Sequence, residues 1–185
     1  MKAFANKQDT LRPFDLAVVL FLAVSKGCPL ATFNQLGETL GLSASTVHDS
    51  LQRLRDAGLL RADSREPNLR ALRNFVVHGV QYAFPPTLGR EMRGVPTAHA
   101  GPSLRKLFDG VSPMVWPSVE GSARGTALAP LYPNAIRLPQ SAPKLYDVLT
   151  LVDAVRVGQA RERKAALAAL DSALELNRSP AGADE

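Results

Sequence analysis

A mainly α-helical protein is predicted by three features of this sequence. Apolar residues recur at helical spacing through most of the first 82 residues, and they do so again from Lys144 to Leu176. Between these regions, from Pro85 to Pro143, lie ten of the 14 prolines, and no long helix can form there. The expected organisation is a helical domain over 1–82, an ordered but irregular Pro-rich segment over 83–143, a C-terminal helical arm over 144–176 and a disordered tail over 177–185.

The N-terminal helices can be placed one by one. Pro13 opens a helix that carries Phe14, Leu16, Ala17, Leu20, Phe21 and Val24 and ends by Gly27; it is apolar almost all round, so it belongs in the core. Thr32 caps a second helix, in which Phe33, Leu36 and Leu40 share a face. Gly41 tolerates the positive φ of a helix end. Ser43 caps a third helix running to about Ala57, with Val47, Leu51 and Leu54 as its buried stripe, and Gly58 stops it. Leu59 and Leu60 begin a strand, and after a polar turn Asn68 caps a fourth helix over Leu69–Tyr82.

The Pro-rich segment is too apolar to be disordered, since it holds Val115, Trp116, Leu128, Leu131, Tyr132 and Ile136. Arg90–Pro102 within it has the texture of an extended docking strap. In the C-terminal arm, Leu145, Leu149, Val152 and Val155 form one stripe and Leu167, Leu170 and Leu174 another; Gly158 interrupts them, giving two helices or one bent one. These stripes need a partner, either their own domain or a second subunit.

Composition narrows the class. The net charge of +5 and pI near 9.7 favour polyanionic partners. Lys and Arg outnumber Asp and Glu by ten to seven over 1–80 and by six to three over 81–140, but not beyond, where the count is six to seven. The longest apolar run, Leu16–Val24, is far short of the ~20 residues that cross a bilayer, and Met1–Arg12 lacks the layout of a secretion signal. A cytoplasmic protein without membrane partners is expected. The single cysteine, Cys28, excludes an intrachain disulfide. His48, His78 and His99 are not spaced as metal ligands, and no nucleophile elbow, phosphate loop or paired-carboxylate motif occurs, so neither cofactor nor enzyme activity is expected.

The second and third helices carry the functional signal. Leu36 and Leu40 must meet Val47 and Leu51 at a steep angle, which requires the tight turn Gly41–Leu42–Ser43 with Leu42 wedged between the helices. The apolar face of the third helix is then used up. Its other face offers Ser45, Thr46, His48, Asp49, Gln52 and Arg53 to a major groove. The stretch LGETLGLSASTVHDSLQRLRDAGLL resembles the winged helix-turn-helix of bacterial transcriptional regulators of the broad MarR/IclR type, over about Phe14–Arg61.

That resemblance implies binding of double-stranded DNA by the third helix. Ser43, Ser45 and Thr46 stand at its N-terminus, where hydroxyls and free amides hold phosphate. His48, Gln52 and Arg53 reach base edges, and Asp49 can accept from cytosine. Arg61 and Arg65, with Arg70 and Arg73 beyond them, stand where a wing would contact flanking phosphates. A basic-tipped wing hairpin is not evident, so the wing is very short or the fourth helix replaces it. The bland alternative is a winged helix used for protein contact, but the third helix presents a hydroxyl-rich face where such a contact wants an apolar one.

The reading is a homodimeric repressor with a C-terminal dimerisation arm. Its rival is an adaptor or antitoxin-like protein that docks a neighbouring enzyme or toxin and autoregulates. A third possibility is a ligand-sensing regulator with a pocket beside Tyr82, Phe84 and Trp116.

Overall fold

The computed structural model describes residues 10–25 and 32–176. Cys28 and the C-terminal tail lie outside the described residues. Helix α1 spans Pro13–Val24, with Asp15 accepting from the Arg12 amide at 2.7 Å at its start. Helix α2 (Phe33–Leu40) opens on a reciprocal cap: the Gln35 amide donates to Thr32 Oγ1 and the Thr32 amide to Gln35 Oε1. Helix α3 (Ala44–Asp56) is capped by Ser43, which accepts from the Thr46 amide at 3.1 Å. Between them Gly41 has φ of +66°, and its neighbour Leu42 donates to the Gly37 carbonyl at 2.8 Å. A side chain at Gly37 would place its Cβ 2.4 Å from the Leu42 carbonyl oxygen, so the turn can fold back this tightly only over glycine.

The wing is very short and a helix follows it at once. Leu60 bridges Pro67, and the Arg61 amide donates to the Glu66 carbonyl at 2.9 Å, which closes a minimal hairpin. Asn68 then caps α4 (Leu69–Asn74), which continues through a π-helical turn (Phe75–Gly79) into α5 (Val80–Ala83). The fourth helix expected from the periodicity is therefore present but widened by one π turn, where Arg163 donates to the Val77 carbonyl.

The Pro-rich segment is ordered, but it is not irregular. It forms a small sheet of β1 (Leu88–Thr97), β2 (Met114–Pro117) and β3 (Ala123–Leu128). Strand β1 runs antiparallel to both others, pairing Thr97 with Met114 on one side and Arg93 with Arg124 on the other. β2 and β3 are parallel, Val115 beside Ala127, and the three strands close on one another. The docking strap Arg90–Pro102 is thus most of β1 plus a 3₁₀ turn, Ala98–Ala100. A second 3₁₀ turn (Pro133–Arg137) and α6 (Leu138–Ser141) lead into α7 (Pro143–Val157) and α8 (Ala160–Ala173), which are two separate helices.

Helix α7 corrects the expectation of an arm. Leu145, Val148, Leu149, Leu151, Val152 and Val155 are all buried within the one chain, and α7 packs on α1, α5, α6, α8 and β1. The apolar core runs unbroken from Leu16 to Leu174. The stripes of α7 find their partners in the helical domain and the sheet, so the three expected pieces are joined by one core.

A buried carboxylate organises this junction. Asp153 accepts from Thr97 Oγ1 (2.8 Å) on β1, Trp116 Nε1 (2.6 Å) on β2 and Arg156 (2.6 Å) one turn along α7. Arg156 also donates to the Phe84 carbonyl at 2.8 Å, so one ion pair ties α7 to both strands and to the end of α5. Burial pushes the Asp153 carboxyl up, while Arg156 and the Thr97 and Trp116 hydrogen bonds pull it down. Arg73 reaches α8 with two bonds to Asp171, at 2.6 and 2.9 Å, so its guanidinium is engaged there rather than turned toward phosphates.

Two tyrosines tie stability to alkaline pH. Burial raises the Tyr132 phenol well above its usual range, and its hydroxyl is without a hydrogen-bond partner among the described residues. Burial, reinforced by Asp147 and opposed by Arg105, pushes Tyr146 up to about 12 from 10.0. A folded-state value above the unfolded one means a contribution fully present below about pH 10 and lost as pH climbs toward about 12. Urea unfolding across that window is expected to show falling stability, with a shallower fall in Tyr146→Phe. Superimposable pH profiles for the two proteins would remove Tyr146 from this account.

Candidate nucleic-acid interface

Helix α3 divides its residues by periodicity. Val47, Ser50, Leu51, Arg53 and Leu54 are buried against α1 and α2, while Ser45, His48, Asp49 and Gln52 are exposed along the opposite side. The side chains of His48 and Asp49 are 65% and 68% exposed and lie 3.4 Å apart. Gln52 donates to Asp56 one turn on, at 3.0 Å. At the helix N-terminus the hydroxyls of Ser43, Ser45 and Thr46 form a connected group, Ser43 lying 2.9 Å from Ser45 and 2.7 Å from Thr46. These bonds are local and solvent-facing, so the face can exchange them for an anion or a base edge.

Arg53 does not belong to this face, contrary to the expectation from sequence. Its side chain is 3% exposed, and its guanidinium donates through Nε and an Nη to both oxygens of Asp15, at 2.7 and 2.8 Å. It also lies 5.5 Å from the centre of the Phe14 ring. Position 53 follows Ser50 by three residues and so falls on the buried side, where a charge is tolerated only because Asp15 is buried beside it. The signal that could have revealed this was Asp15, a carboxylate inside an otherwise apolar helix.

The wing residues meet helix α3 through an aromatic side chain. Arg65 stacks over Phe33 at 4.4 Å, and the Phe33 ring meets the His48 imidazole edge-on at 5.7 Å between centres. Phe33, expected only as part of the apolar stripe of α2, is half-buried and bridges wing and α3. Arg61 is exposed and pairs loosely with Glu66 at 3.6 Å. His78 is exposed on the π turn.

The turn between α2 and α3 is held from far along the chain. Asn134 donates to the Gly41 carbonyl at 2.6 Å, and Ser141 to the Thr39 carbonyl at 3.4 Å. Sequence reasoning had no access to these contacts, because they span 93 and 102 residues. The pocket expected beside Tyr82, Phe84 and Trp116 is not assembled: Tyr82 is 77% exposed, Phe84 packs on Phe75, and Trp116 packs on Tyr146.

Comparison with known proteins agrees with this geometry over the first third of the chain. Residues 10–67 match the MarR family model. The chain is also similar to the LexA repressor of Pelotomaculum thermopropionicum, 36% identical over 93 residues, a match covering 48% of this chain and 45% of that protein. The chain thus spans less than half the length of that relative. No solved structure matches significantly. No described helix is long and apolar enough to cross a membrane. The segment from α1 to the end of the wing, residues 10–67, folds as a winged helix-turn-helix and is similar over that third of the chain to the MarR family.

Proposed function

We propose that this protein is a sequence-specific DNA-binding transcriptional regulator, acting as a dimeric repressor in the cytoplasm. The observation that carries the reading is the exposed face of α3, polar and hydroxyl-rich, projecting from a helix whose other side is consumed by core. The MarR match over this segment and the repressor named among its relatives support it. In this role Ser43, Ser45 and Thr46 hold phosphate at the helix N-terminus, and His48, Asp49 and Gln52 read base edges. Arg61 and Arg65 clamp the flanking backbone. A dimer is proposed because one reading helix covers few base pairs, whereas two half-sites about one turn of DNA apart multiply specificity. With α7 buried, the dimer surface lies elsewhere than on its stripes.

A second reading, an adaptor or antitoxin-like protein docking an enzyme or toxin encoded nearby, draws support from Leu107 and Val111. These side chains are 61% and 49% exposed on the loop before β2. A stoichiometric second protein in material purified from native cells would favour it.

The test is a competition titration with operator and scrambled duplex at fixed salt. His48→Ala or Gln52→Ala is expected to lower operator preference by about 1–3 kcal/mol and to leave non-specific affinity nearly unchanged. Arg65→Ala is expected to weaken binding to all sequences alike and to flatten the log–log salt slope by about one. Affinity indifferent to salt, or an unaltered preference in both α3 variants, would defeat this assignment.

A further inference from the structure

The ring of Phe33 stands between two groups that belong to different elements. The Arg65 guanidinium, from the wing, lies over it at 4.4 Å, and the His48 imidazole, from α3, meets it at 5.7 Å with the two planes at 86°. Phe33 itself is fixed from behind. It is the first residue of α2, where the reciprocal cap between Thr32 and Gln35 holds the backbone, and its ring packs against the apolar core. Leu36 and Leu40 of the same stripe are fully buried, whereas Phe33 is only half-buried, so part of its ring faces outward where the two polar groups converge. Those groups have loose settings of their own. His48 is 65% exposed and its Nδ1 lies 3.4 Å from the Asp49 carboxylate, a long, solvent-facing contact. An imidazole held in that way alone would sample several rotamers, and ordering it on binding would cost affinity. The wing is a minimal hairpin bridged at Leu60 and Pro67, too short to pin its side chains by cross-strand pairs.

We propose that Phe33 is a positioning residue for DNA recognition, presenting His48 to a base edge and Arg65 to a nearby phosphate from one platform. It thereby sets the distance between the base that is read and the phosphate that is gripped. This inference rests on α3 as the DNA-reading helix. The contacts suit both tasks. Stacking engages the face of a guanidinium, whereas its donors lie in the plane, where a phosphate meets them. An edge-to-face pair of rings has a preferred geometry, so the contact fixes the plane of the imidazole. Because the cap and the core hold Phe33, loss of Arg65 leaves His48 seated, and loss of His48 leaves Arg65 seated. Loss of the ring frees both.

The first arm of the test uses the full chain without DNA. Phe33→Leu keeps an apolar residue at the start of α2 but removes the ring. It is expected to shift the imidazole proton resonances of His48, which are identified among the three histidines by their loss in His48→Ala. Phe33→Tyr should leave them near their original positions. Unmoved resonances in Phe33→Leu, confirmed folded by thermal melting, would overturn the contact. The second arm is a competition titration with operator and scrambled duplex. Phe33→Leu is expected to lower operator preference about fivefold or more and also to flatten the salt slope, and Phe33→Tyr to restore both. Adding His48→Ala to Phe33→Leu should cost little further preference, whereas adding it to Arg65→Ala should cost as much as it does in the unmodified chain. An equal cost in both backgrounds, or no rescue by tyrosine, would leave Phe33 with a packing role only and overturn the proposal. Full operator preference in Phe33→Leu would overturn this inference alone. An unmodified chain that binds no duplex would instead overturn the DNA-binding reading, and this inference with it.

Discussion

Ending the chain at Ala142 is expected to abolish cooperative folding of the whole protein, winged helix included. Six large aliphatic side chains of α7 (Leu145, Val148, Leu149, Leu151, Val152 and Val155) are buried in the shared core. At roughly 1.5–3 kcal/mol for each buried Val or Leu, their loss removes about 10 kcal/mol, comparable to the whole stability of a typical domain. The deletion also uncovers the side of the apolar α1 that packs on α7, and α1 has no polar face to turn toward water. Asp153 and Arg156 leave with the helix, so Trp116 Nε1 and Thr97 Oγ1 lose their acceptor. Circular dichroism melts of residues 1–142 beside the full chain provide the check. A sigmoidal melt from the truncated chain, with the helicity of a folded winged helix, would show that the N-terminal segment is independent of α7.

Arg53→Ala is expected to destabilise the protein by about 3–5 kcal/mol, since it strands the Asp15 carboxylate at zero exposure. In a chain of this size that lowers Tm by about 10 °C. The cause is desolvation rather than a strong attraction, which gives a second expectation. Replacing both partners by apolar residues of similar volume, Asp15→Leu with Arg53→Met, should recover most of the loss, because two buried charges and their solvation cost vanish together. The same pair of proteins separates structure from reading. If the double variant is as stable as the parent and keeps its operator preference, Arg53 acts by seating α3 against α1. Recovered stability with lost preference would return Arg53 to the base-reading set.

Much of α3 was legible in the sequence, because its determinants are local. Thr32 and Ser43 cap helices three residues ahead of the amides they satisfy, Gly41 reaches positive φ on its own, and the spacing of Val47, Leu51 and Leu54 defines the buried side of α3. From these alone the exposed set Ser45, His48, Asp49 and Gln52 follows. At Arg53 residue type and helical position point in opposite directions, and position wins. A charged side chain favours water by default, and only a partner 38 residues away reversed that preference.

The sheet was missed for a related reason. Pro96 and Pro117 sit inside strands, and the first half of β1 is exposed, so neither alternation nor an unbroken apolar run announced them. Strand pairing is decided by which segments meet, and that information is spread over the chain. The fate of α7 is the clearest case. Its apolar periodicity determined, by sequence alone, that it is a helix and that it must be covered. Whether a second copy or the same chain covers it depends on long-range geometry, on Asp153 meeting Thr97 and Trp116 and on Arg156 meeting Phe84. Local periodicity specifies what an element must bury, whereas only the tertiary structure decides against what, because burial is a property of pairs of surfaces and not of one segment.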